Sequence, residues 1–313
     1  MELRSQRKAY GETLVELGKT NKNIVVLEAD LGKSSMSCLF EAAYPERYFE
    51  MGIAEANMAS TAAGLSLTGK IPFMNSFAVF STGRAYDQIR QGICIPRLNV
   101  KVCGASCGLS DFGDGSTHQA IEDVAIMRAI PNMTILVPAD AVEIKKMVKA
   151  MVEYDGPIYM RIGRNDMPVV IPEDMDFEIG KLNTVRDGKD VLVFANGIMV
   201  SKALLAAGEL SKEGISLKVV NASTVKPFDN KGALELVKGF KGVITAEEHS
   251  VIGGLGSAVC EALIGEVNIP VKVIGIKDKF GTSAHSQKQL LEAYGLTEKD
   301  IAAKVRKMLK VGK

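Results

Sequence analysis

A repeated alternation constrains this chain more than any other feature: short apolar runs are followed by stretches of helical period. Residues 23–30 (NIVVLEAD) hold an apolar run without polar interruption, the pattern of a strand buried on both faces. Residues 53–68 read as a helix rich in Ala, Ser and Gly, able to pack closely. Strands follow at 99–104, 133–137 and 157–162, with helices at 122–129 and 141–154. Strands that alternate with helices predict parallel pairing through crossover helices, and so an α/β fold. Residues 164–189 break the alternation with two prolines, several acids and weak periodicity, and read as a connecting segment. The alternation then resumes, with strands at 191–195, 216–220, 243–246 and 271–276 and helices at 201–212 and 297–309. The expected organisation is a parallel-sheet domain over 1–170, a linker over 171–187 and a smaller α/β domain with a mixed sheet over 188–313. Few apolar contacts are expected to cross the linker except where it lies on the sheet faces.

Composition sets the class. A chain of 313 residues that is 47% apolar can bury two cores. The net charge is +1, with Lys and Arg dispersed, which argues against a nucleic-acid or membrane-surface binder. The five Cys have neither disulfide-framework nor zinc spacing and read as reduced thiols. A charged N-terminus and the lack of a long apolar run predict a cytoplasmic protein. There is no phosphate-binding P-loop and no HExxH, and the GxG at Gly254 and Gly256 lacks its third glycine.

Several stretches carry residues suited to chemistry. In FGDGSTHQAIED, Asp114 sits between glycines, which permit close backbone approach to a ligand, and Thr117, His118 and Gln119 follow. The cluster offers donors and acceptors for a polyhydroxylated substrate, or serves as a polar loop capping the next helix. Glu55, among small and apolar neighbours in MGIAEANM, is expected to be partly buried. Removal from water favours the protonated carboxyl and suits it to proton transfer. A first-turn Glu also suits the helix dipole without any chemistry. Ser34 and Ser35 precede a helical run, where a Ser caps the N-terminus and an anion can bind. Phe77 and Phe80, in NSFAVF, read as core. Of the three His, His249 has a structural or interface role and His285 is undecided.

In order along the chain, RKAYG at 7–11, LEAD ending at Asp30, GIAEANM around Glu55 and SFAVF through RAYDQIR resemble the C-terminal half of transketolase. GDGSTHQAIEDVAIMRAIPN, VPAD, NASTVKPFD and TAEEHSVIGGLGSAV continue the resemblance over essentially the whole chain. The single GDG, at 113–115, falls in the substrate-side loop, and nothing resembles that family's diphosphate-binding segment. The resemblance is therefore to the separate second subunit of a split transketolase. It implies a thiamine diphosphate enzyme that moves a two-carbon ketol unit from a ketose phosphate to an aldose phosphate. Glu55 matches the carboxylate that bonds the aminopyrimidine ring nitrogen, Phe80 the ring that stacks on it, Phe77 a neighbouring wall and Asp30 an acid near the cofactor. Asp114 and His118 match donor-sugar contacts, His118 with a catalytic role. Arg7, Ser34 and Arg164 match the holders of the sugar phosphate, with Arg161 as the competitor of Arg164. The resemblance further implies a diphosphate-binding partner chain that supplies the Mg²⁺ ligands, an α2β2 assembly, and no metal ligand in this chain.

Two departures bear on the substrate. Ser106 stands where the family commonly has His, and Gly113 where it commonly has Glu. They open the reading of a transketolase variant for an unusual phospho- or sulfo-ketose. Two further alternatives are the β subunit of a 2-oxoacid dehydrogenase first component and a non-catalytic scaffold subunit. Glu55 speaks against the scaffold.

Overall fold

The computed structural model describes residues 1–311. Strands of the N-terminal half are β1 (Leu3–Ser5), β2 (Ile24–Glu28), β3 (Tyr48–Glu50), β4 (Ile71–Phe77), β5 (Lys101–Ala105), β6 (Thr134–Leu136), β7 (Ile158–Arg161) and β8 (Asp166–Pro168). Those that follow are β9 (Asn183–Arg186), β10 (Val191–Ala195), β11 (Leu217–Asn221), β12 (Thr224–Lys226), β13 (Val243–Ser250) and β14 (Val271–Ile276). Two main sheets result. The first has the order β12-β6-β7-β5-β4-β2-β3, parallel except for β12. The second has the order β14-β13-β10-β11-β9, parallel except for β9. Every residue of β2, β5, β7 and β10 is buried, as uninterrupted apolar runs under helices on both faces require. The fold is thus two α/β units, the second with a mixed sheet.

The structure corrects the reading of the connecting segment. Residues 164–189 contain β8, which pairs with β1, and β9, which pairs with β11 at the edge of the second sheet. The segment is also laced down by side chains. Asp140 Oδ1 caps the helix Ala141–Glu153 through the Val142 and Glu143 amides, while its Oδ2 accepts from Val170 and Ile171. Lys146 Nζ donates to the carbonyls of Pro172 and Glu173. The two halves are more entwined than expected. The three-residue β12, from the C-terminal half, closes the edge of the first sheet against β6. Leu109, Ile121, Val142, Met167 and Ile171 share one apolar core with Val193, Met199 and Leu291. The expectation of few apolar contacts between the halves is therefore corrected: helix faces of the second unit pack directly on loops and strand ends of the first.

The helix Gln6–Thr20 was not foreseen. It is capped by Ser5, which accepts from the Lys8 amide. Its apolar stripe (Ala9, Tyr10, Leu14) is diluted by Gly11 and Gly18, which weakens the periodic signal. Both glycines serve close packing. A Cβ at Gly11 would collide with the Met36 carbonyl, and one at Gly18 with the rings of Phe40 and Tyr44. This helix therefore lies directly on the segment after β2, at the carboxyl edge of the first sheet. In α/β sheets that edge is where ligands bind.

Candidate active site

The carboxyl ends of β2, β3, β4, β5 and β7 all deliver candidate residues. Asp30 follows β2, Glu55 starts the helix after β3, Phe77 ends β4, Asp111 and Asp114 follow β5, and Arg164 follows β7. A cleft of about 380 Å³ is lined by Ala29, Asp30, Leu31, Ile53, Glu55, Phe77, Phe80, Arg84, Thr117 and His118. All four candidate cofactor residues and His118 thus share one opening.

Glu55 is 3% exposed, as its small-residue surroundings predicted. The partner that sequence reading missed is Arg84, whose Nη1 lies 3.1 Å from Oε1 and 3.4 Å from Oε2. The Ser76 hydroxyl reaches Oε1 at 3.3 Å. Oε2 therefore takes only the longest contact of the three. The same guanidinium lies 3.9 Å from the centroid of the Phe80 ring. No local pattern announces this pair. Glu55 and Arg84 are 29 residues apart, and Arg84 is marked in the sequence only by the motif RAYDQIR.

The aromatic wall is ordered by ring contacts. Phe77 and Phe80 stack with centroids 6.1 Å apart at 20°. The His118 ring sets its edge against both, at 5.2 Å from Phe80 and 6.2 Å from Phe77. Its Nδ1 pairs with the Thr117 hydroxyl at 2.9 Å. The core reading of the two Phe is right only for Phe77, which is 5% exposed; Phe80 is half-buried and faces the cleft. Asp30 is exposed in a left-handed turn at φ 59°, its amide held by Glu50 Oε1 at 2.9 Å. Asp tolerates that conformation because its short polar side chain bonds locally.

The capping role expected of Ser34 and Ser35 is not observed. Ser34 lies inside the short helix Gly32–Ser35, and no side chain caps it or the following helix Cys38–Ala43. The hydroxyls of Ser35 and Ser37 instead donate to Glu28, a buried carboxyl at the end of β2. Burial pushes Glu28 up to about 7, against those two hydroxyls and the Ala29 amide. What the structure does bring together is Arg7 and Ser34, with Nη1 of Arg7 donating to the Ser34 carbonyl at 2.6 Å. Arg164 is half-buried, 3.2 Å from Asp111 through Nη1, with its guanidinium 5.8 Å from the Phe77 centroid. Its competitor Arg161 is fully engaged elsewhere, in a bidentate pair with the buried Asp123 and in bonds to the carbonyls of Glu248 and Ala120.

The loop that carries Asp114 and His118 is fastened to the second unit rather than to the next helix. Glu248 accepts from the Leu109 amide and from Gln287, and Gln119 donates to the carbonyls of Asp111 and Thr282. Asp114 itself is exposed. His249 is structural, as expected: burial and the Arg161 charge pull it down to about 4, so it is neutral. Its Nε2 then accepts from the Ala125 amide, and its Nδ1 donates to the Ser250 carbonyl. His285 is exposed. The five cysteines are free thiols. Among the described residues no three His, Cys, Asp or Glu side chains are grouped to hold a metal ion, and no helix is long and apolar enough to cross a membrane.

This arrangement has relatives. Residues 4–169 match the family described as transketolase, pyrimidine binding domain, and residues 180–301 match transketolase, C-terminal domain. The structure is similar, with a TM-score of 0.90 and 49% identity over 99% of both chains, to a solved split-gene transketolase described as an inactive β4 tetramer. The chain is 43% identical over 311 residues to a Methanocaldococcus jannaschii protein with the provisional name transketolase C-terminal section, covering 98% of this chain and 97% of that one. It is 41% identical over 295 residues to a 6-deoxy-6-sulfo-D-fructose transketolase subunit of a Clostridium species, covering 94% of this chain and 91% of that one. Matched over both domains in order, the chain belongs to the transketolase family and is of the split-gene, C-terminal-section type.

Proposed function

We propose that this chain is one subunit of a thiamine diphosphate-dependent transketolase that takes a two-carbon ketol unit from an unusual phospho- or sulfo-ketose. The observation that carries the reading is the convergence of Glu55, Phe80, Phe77 and His118 in one cleft, with Arg7, Ser34 and Arg164 grouped at the same sheet edge. A buried carboxylate beside an aromatic face in a cleft of about 380 Å³ fits a flat heteroaromatic ring with one protonatable nitrogen. The cofactor, when bound, supplies the carbon nucleophile. The chain's own residues would orient the cofactor and move a proton: Glu55 would meet the ring nitrogen, Phe80 and Phe77 would flank the ring, and Asp30 would close the rim. His118 and Asp114 offer bonds to the sugar hydroxyls. Arg7, Ser34 and Arg164 hold the anionic end, with the Ser34 carbonyl positioning the Arg7 guanidinium.

The unusual-ketose reading is preferred over an ordinary ketose phosphate for two reasons. One relative is named for a sulfo-ketose, and Ser106 and Gly113 depart from the common pattern on the substrate side. The diphosphate end and its Mg²⁺ are assigned to a partner subunit in an α2β2 enzyme, a reading supported by the inactivity recorded for the similar β4 assembly. The test is two-carbon transfer to an aldose phosphate by the reconstituted pair, with sulfo-, phospho- and uncharged ketoses as donors. Arg164→Gln is expected to raise KM more than tenfold for the charged donors, since each charged hydrogen bond contributes roughly 1.5–3 kcal/mol. The uncharged donor should be nearly unaffected. Equal losses on all three donors would make Arg164 structural, and acyl transfer from pyruvate in their place would favour the 2-oxoacid dehydrogenase alternative.

A further inference from the structure

Asp111 has no role in the account so far, yet it is the charged group in direct contact with Arg164. It is 2% exposed, and its Oδ2 is 3.2 Å from Arg164 Nη1. Burial raises its pKa, the Arg164 guanidinium lowers it, and Asp114 raises it again. Arg7 belongs to the same electrostatic group: burial and the charge of Arg164 lower its pKa, while Asp166 and Asp111 oppose them. Two guanidiniums that repel one another are thus held together, and the Nε of Arg7 is buried with no partner. Such a pair awaits an anion. Its charge, however, is partly cancelled in place. The two guanidiniums face the carboxylates of both Asp111 and Asp166, so little net positive charge is left for the ligand.

A dianion feels every neighbouring charge twice as strongly as a monoanion. With attraction and repulsion nearly balanced around Asp111, a phosphate dianion gains no net attraction to offset its heavier loss of hydration. We infer that Asp111 is a specificity-determining residue that tunes the Arg7–Arg164 pocket to a substrate ending in a singly charged group, such as a sulfonate, over one ending in a phosphate dianion. The inference rests on the reading of Arg7, Ser34 and Arg164 as the pocket for the charged end, and narrows the substrate within it.

All the residues involved lie on this chain, so binding can be read without a partner. The full chain is titrated with methanesulfonate and with methyl phosphate at about pH 8, where the phosphate is mostly a dianion. Binding is followed at the Nε–H resonances of Arg7 and Arg164. The wild-type chain is expected to bind methanesulfonate at least as tightly as methyl phosphate. Asp111→Asn should raise methyl phosphate affinity about tenfold, more than it raises methanesulfonate affinity, and so reverse the order. Asp111→Glu, which keeps the charge, should keep the wild-type order, and matched thermal melts verify folding of both variants. An unchanged ratio in Asp111→Asn overturns the inference while leaving the pocket intact. Failure of either anion to shift Arg7 or Arg164 in any of the three proteins overturns the pocket together with the inference.

Discussion

Glu55→Gln is expected to leave the fold intact and to lower turnover of the reconstituted enzyme by on the order of 10²–10⁴. The amide has the same shape as the carboxylate, and the Ser76 hydroxyl and Arg84 can both still donate to its oxygen. Arg84 is half exposed at its side chain, so losing this ion pair costs little stability. What the amide lacks is a site that takes up and returns a proton. The loss should therefore fall on turnover, with melting temperature and assembly close to wild type. Near-normal turnover would remove Glu55 from the mechanism and reopen the scaffold reading.

Asp123→Ala is expected to cost about 3–5 kcal/mol of stability, because it leaves the Arg161 charge buried without a partner. The pair is bidentate, at 2.8 and 2.9 Å, with side chains 3% and 0% exposed. The Tyr159 hydroxyl adds a bond of 2.5 Å to Asp123. The Arg161 Nη1 bond to the Glu248 carbonyl carries the effect across the boundary between the two units. Burial opposes ionisation of Asp123, but the Arg161 guanidinium wins and holds its carboxyl below the usual range. Its folded pKa is depressed, so the pair's contribution is fully present above about pH 4 and is lost as acid protonates Asp123. Urea unfolding near neutrality should show the full loss, and Arg161→Met added to Asp123→Ala should recover part of it. A single-mutant loss below about 1 kcal/mol would show that the pair is not uniquely buried.

Which parts of this were legible in the sequence follows from the range of the interactions. β2, β5, β6, β7 and β10 were read from their apolar runs, because burial on both faces leaves a local signature. β9 and β12, of four and three residues, were not. They owe their pairing to the edges they close, which no local pattern encodes. The connecting segment was read as loose because its prolines and acids lack a period, yet Asp140 and Lys146 hold it from a distance. In the site, the burial of Glu55 was foreseen from its small neighbours, but Arg84 was not. The phosphate-side residues came from the family resemblance, while the Asp111–Arg164 pair rests on a contact 53 residues apart in sequence. The capping reading of Ser34 failed because two short helices replaced the one expected, and its observed contact is a backbone carbonyl that orients Arg7.

The central claim is that this chain grips the pyrimidine end of thiamine diphosphate while a separate chain holds the diphosphate and its metal. The direct measurement is calorimetric titration of thiamine diphosphate with Mg²⁺ into this chain, alone and together with the diphosphate-binding partner, with ketol transfer assayed on the same samples. The account predicts weak binding and no transfer for the chain alone, and tight binding with transfer once the partner is added. Tight binding and ketol transfer by this chain alone would contradict it.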